Sequence, residues 1–99
     1  MAYTVRTVEY FATSVPDKAG AGHGIIAALA AEGVNLLAMS GFPVGTGKAQ
    51  LDLIPDDAAA FAKAASRLKL RTRKPKGAFL LQGEDRVGAV AEALGRLAA

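Results

Sequence analysis

The residues able to do chemistry are few, and most sit where the chain turns. Gly20, Gly22 and Gly24 open an apolar stretch of helical period, led in by Asp17, Lys18 and Ala19. The first turn of a helix carries backbone N–H groups without intrahelical acceptors, and the helix dipole adds partial positive charge there. A carboxylate or phosphate is the guest such a loop suits, with Gly20, Ala21, Gly22 and Gly24 as its walls. The same glycines also serve a plain tight turn and close helix–sheet packing. Their spacing is G-x-G-x-G, and Ile25 stands where a dinucleotide fingerprint needs glycine.

Other candidates weaken on inspection. His23 is the only histidine and there is no cysteine, so no metal cluster or thiol nucleophile can be composed. Ser14, His23 and Asp17 form a triad on paper only, because nothing around Ser14 resembles a nucleophile elbow. Gly45-Thr46-Gly47-Lys48 looks like part of a phosphate-binding loop, yet Phe42 and Ala49 occupy the positions that should be Gly and Ser or Thr. Asp56 and Asp57 are adjacent, and helix capping accounts for them, so with Asp52 they make no acid/base pair. No catalytic residue, metal or cofactor is expected.

The basic residues cluster. Arg67, Lys69, Arg71, Arg73, Lys74 and Lys76 fall close together in a chain of net charge +3. On one side of a strand they would meet phosphates, which makes a nucleic-acid-binding domain the alternative reading. No aromatic residue lies between Ala62 and Gly77 to stack a base. Complementing a helix C-terminus and guarding a sheet edge explain the same charges.

These residues must be held by regular elements. Tyr3 to Val15 is rich in Val, Thr, Tyr and Phe and similarly apolar on both faces, the mark of a central strand. Asp17 is placed to cap a helix running to about Glu32, and Gly33 suits a left-handed stop. Asn35–Val44 and Ala49–Ile54 read as a hairpin around Gly45–Lys48. Pro55-Asp56-Asp57 then caps a helix with Ala58, Phe61, Ala65 and Leu68 in step. The period changes to two from Arg67, and one long fourth strand, interrupted at Pro75, is expected to reach Leu81. A last helix carries Val87, Val90, Leu94 and Leu97 on one face.

The order β-α-β-β-α-β gives an α+β, ferredoxin-like sandwich with an extra C-terminal helix. That helix repeats the first one. Counting from Asp17 and Asp85, six of fifteen positions are identical: Asp17/Asp85, Gly20/Gly88, Ala21/Ala89, Leu29/Leu97, Ala30/Ala98 and Ala31/Ala99. The expected organisation is one domain over 1–83 and a partial second repeat, strand and helix only, over 78–99. Either the second copy continues beyond this chain or a partner completes it. Ninety-nine residues bury a modest core, so self-association is expected. The start of the chain lacks the order of a signal peptide and no apolar run is long enough to span a bilayer, which makes the cytoplasm the expected location.

Ser14-Val15-Pro16-Asp17-Lys18-Ala19-Gly20 through Gly33-Val34-Asn35-Leu36 resembles the ACT family of regulatory domains. The family pattern is strand, Asp-Arg/Lys-Pro-Gly, helix, then Gly-(Ile/Val)-Asn-(Ile/Leu); Ala19 here replaces the usual proline. The resemblance implies a small-molecule sensor, with an amino acid or similar anion bound at a homodimer interface. It implies ligand contact by Asn35 across that interface, where a turn-forming Asn with a local backbone hydrogen bond is the other reading; Asp17, Gly20, Ala21, Gly22 and Gly24 make up the rest of the candidate site. A purely structural association domain is the remaining alternative.

Overall fold

In the computed structural model, which describes residues 3–99, the β-branched and aromatic run at the start of the chain forms strand β1 (Tyr3–Pro16). It is followed by α1 (Ala21–Ala31), β2 (Leu36–Pro43), β3 (Lys48–Pro55), α2 (Ala58–Leu68), β4 (Lys76–Gly83) and α3 (Ala89–Ala98). All pairings are antiparallel and the strand order is β2-β3-β1-β4. The ferredoxin-like arrangement expected from the sequence is the one observed, with β1 central.

Length lets β1 do two jobs. Its second half pairs with β3 from Phe11↔Leu53 to Pro16↔Lys48, and its first half pairs with β4 from Tyr3↔Gly83 to Tyr10↔Lys76. The core lies over the second half, where Phe11, Val15, Leu51 and Leu53 meet Leu29 of α1 and Phe61, Ala64 and Ala65 of α2. The rings of Phe11 and Phe61 stack at 4.3 Å. Leu29, Leu53 and Phe61 have no exposed surface, and burying each contributes about 1.5–3 kcal/mol.

Helix ends follow local chemistry. Asp57 caps α2, its carboxylate accepting the Ala60 N–H at 3.1 Å. Gly33, at φ 81°, stops α1: its N–H donates to the Ala30 carbonyl and that of Val34 to Leu29, a Schellman closure. The same closure ends α2 through Lys69, which takes φ 55° without being glycine.

Two expectations need correcting. The fourth strand does not begin at Arg67. Arg67 lies within α2, residues 69–75 are irregular, and only Lys76–Gly83 forms the strand. The left-handed Lys69 ends the helical run, and Pro75 has no N–H to give a ladder. What ties the segment to β1 is the Arg73 N–H on the Ala12 carbonyl and the Thr13 hydroxyl donating to the Arg71 carbonyl at 2.6 Å. The last helix begins after Gly88, so Val87 precedes it; Val90, Leu94 and Leu97 of the stripe are exposed and Ala93 is buried. Among the described residues, no helix is long and apolar enough to cross a membrane.

Candidate ligand-binding loop

The β1–α1 connection is built by the backbone. The Asp17 N–H donates to the Gly47 carbonyl at 3.0 Å, tying the loop to the β2–β3 hairpin, and Lys18 N–H donates to Pro16. Gly20 then adopts φ 88°, and Ala21 N–H reaches back to the Lys18 carbonyl. Gly20, not Asp17, is the helix N-cap, and no side chain caps α1. The turn through Ala19 and Gly20 starts the helix three residues beyond the position that a capping Asp17 needs. The consequence favours a guest: the amides of Gly22 and His23 lack both an intrahelical acceptor and a capping oxygen.

The three glycines are not equivalent. Only Gly20 has the positive φ that an L side chain resists, and a Cβ there would meet nothing within 4 Å. Its requirement is therefore torsional, with no crowding behind it. A Cβ on Gly22 would touch Leu51 at an ordinary 3.8 Å, and one on Gly24 would meet open space.

Asn35 stands apart. Its carbonyl accepts the Asp56 N–H at 2.9 Å, at the far end of α1 from Gly20. Eleven residues of helix separate the two ends, roughly 16 Å. Within one chain Asp17, Gly20, Ala21, Gly22 and Gly24 come together and Asn35 does not. His23 is exposed.

The basic segment does not present a row of cations on one strand face, because it is not a strand. Arg67 pairs with Glu32, and the Arg73 guanidinium donates to the Gln50 side-chain carbonyl at 2.9 Å. Lys69, Arg71, Lys74 and Lys76 are exposed.

A second surface lies in the partial repeat, where the strand ending near Leu81 and the last helix were expected to need a partner. Tyr3, Val5, Phe79 and Leu81 of the sheet and Ala93, Leu94 and Leu97 of α3 line an apolar groove of about 300 Å³, with Arg96 at its side. What the sequence did not show is that Tyr3 and Val5 of β1 line the groove as well.

Neither a protein-family model nor a curated protein matches the chain. Solved structures do. The ligand-free regulatory subunit of aspartate kinase from Thermus thermophilus superposes with a TM-score of 0.67 at 13% identity, over 99% of this chain and 74% of that one. A structure of aspartokinase alpha and beta subunits gives 0.64 at 15% identity, covering 99% and 73%. Protein BT0572 from Bacteroides thetaiotaomicron gives 0.59 at 22% identity over 65% of this chain, which spans 44% of that protein's length. At these identities the likeness establishes the fold, an α+β ferredoxin-like sheet with its helices, and nothing finer.

Proposed function

We propose that this chain is a non-catalytic, ACT-like regulatory module that senses an amino acid or a similar small anion and passes the event on by associating with itself or a partner. The observation that carries the reading is the uncapped start of α1 behind a left-handed glycine, where amides without acceptors face a loop nearly bare of side chains. The resemblance of residues 14–36 to ACT domains and the likeness to an aspartate-kinase regulatory subunit support it. The carboxylate of the ligand would sit on the Gly22 and His23 amides. Because Asn35 lies at the other end of α1, its contribution requires a second molecule.

A thermal-shift panel of the free amino acids and simple carboxylates tests the proposal. Native-state binding at a hundredfold excess over Kd adds about 2.7 kcal/mol, so a ligand must raise the melting temperature. Gly24→Asp should weaken that rise while leaving the fold intact, since a Cβ there meets open space and an acid near the helix start suits the dipole but repels an anionic guest. No shift with any compound, or an undiminished shift in the variant, counts against the loop.

A further inference from the structure

Two halves of the molecule are built from one element pair. The second half of β1, its loop and α1 recur 68 residues on as β4, its loop and α3, Asp85 answering Asp17. Gly20 and Gly88 start the two helices with nearly one backbone, φ 88°, ψ −16° and φ 87°, ψ −4°. Both loops close alike: Ala21 N–H donates to the Lys18 carbonyl, and Ala89 N–H to that of Arg86. In the β1·β4 ladder Glu9 faces Gly77, residues themselves 68 apart (77 − 9), so a local two-fold through that pair exchanges the two strands.

That axis matches core positions with bare ones. Phe11 is 5% exposed and its counterpart Phe79 is 72%; Leu29 is 0% and its counterpart Leu97 is 71%. What covers the first half is β3 along residues 11–16 and α2, which brings Phe61 onto Phe11. Among the described residues nothing stands at the matching place beside β4, which ends the sheet.

We propose that a second copy of this chain covers this face, its β4 pairing antiparallel with the outer edge of β4 and the two α3 helices lying side by side in opposite directions. The proposal rests on the association part of the function proposed above and names its surface. Three observations select a second copy. From Gly77 to Gly83 the strand has neither a charge nor a proline, the features that guard an edge, whereas the β2 edge has a register irregularity at Leu36/Ala38 and ends on Pro43. The groove is apolar and belongs equally to both copies, as a two-fold contact requires. Charge is complementary: Arg86 bridges Glu84 and Glu92, Arg96 acts on Glu92 from one turn away without forming an ion pair, and Asp85 before α3 has no ion-pair partner among the described residues. Antiparallel α3 helices bring Arg96 toward the partner's Asp85.

The chain has no cysteine, so single-cysteine variants report the contact cleanly. Sedimentation of the full chain should give a dimer at micromolar concentration. Under mild oxidation, of single-cysteine variants at Ala78, Phe79, Leu80, Leu81 and Gln82 on β4 only the one at the two-fold axis should cross-link, while Lys63→Cys, on α2, does not, since disulfides form only across a short Cα separation. A Phe79→Glu, Leu97→Glu double variant should raise the dimer dissociation constant at least about tenfold. Both side chains are exposed in the single chain, so the far-UV spectrum should be retained. A wild-type monomer, a dimer that cross-links through Lys63→Cys instead of β4, or an unchanged dissociation constant overturns the proposal. The α1 loop belongs to the other half, so the amino-acid panel run on the double variant tests the ligand separately.

Discussion

The two halves flanking the Glu9–Gly77 pair start from similar sequence and end in opposite packing states. One places Phe11 and Leu29 out of water beneath α2; the other leaves the matching Phe79 and Leu97 exposed. An apolar stripe on a helix, then, declares a need for a partner without saying whether the same chain meets it. Where β3 and α2 return, the stripe becomes core. Where nothing in the described chain returns, it stays exposed.

The sharpest way to break this comparison is to truncate the paired phenylalanines. Phe11→Ala should cost about 3–5 kcal/mol, because it removes a buried ring stacked on Phe61 and leaves a cavity. Phe79→Ala should change the stability of the single chain by no more than about 0.5 kcal/mol, as for other exposed positions. Urea unfolding at dilution, below any association, measures both. Comparable losses would mean that the second half is already packed.

Next come the paired glycines. Val resists a positive φ, so Gly20→Val and Gly88→Val should each strain the backbone by about 1–3 kcal/mol. The readout should differ. Gly20 introduces the helix that carries Leu29 into the core, so its loss lowers global stability. Gly88 introduces a helix whose one buried residue is Ala93, so strain there should be relieved by fraying α3. Amide hydrogen exchange separates the cases: Gly88→Val should lose protection over 89–98 and leave α1 and α2 unaltered. A global loss of protection in that variant would show the halves to be one cooperative unit.

Much of this fold was legible because local chemistry and tertiary packing agree. Gly33, Asp57 and the Gly45–Lys48 hairpin do in the structure what their residue types require. Failures came where two local signals competed. Asp17 is a good capping residue, but the left-handed Gly20 sets the helix start. The alternation from Arg67 to Arg73 imitates a strand, yet α2 holds its first members and Lys69 turns the chain out of line. The candidate loop was legible as a place, since glycines mark it. Asn35 was not, because distance along a helix decides whether it can share a site with Gly20. The stripe of α3 and the strand beside it were legible from their periods, but not the part that Tyr3 and Val5 of β1 play in the groove, because periodicity does not show what faces a stripe.

The smallest effect concerns the charges that hold α3 to its own loop. The Arg86 guanidinium donates to the Glu92 carboxylate at 2.6 Å, and that hydrogen bond holds Glu92 below the ordinary carboxylate pKa. Glu92 therefore binds its proton less readily in the folded chain than in the unfolded one. Its contribution is present above the ordinary carboxylate pKa and fades as pH falls through the lower, folded value. The pair is on the surface and salt screens it, so the change should be confined to α3 and small. A carbon-detected NMR titration should find Glu92 titrating below an unperturbed glutamate, and Arg86→Ala should return it toward the ordinary value. Over the same acid range, protection of the first turn of α3 should fall. If Glu92 titrates identically in wild type and Arg86→Ala, this ion pair does not hold the start of α3, and the two helix starts differ only in what packs against them.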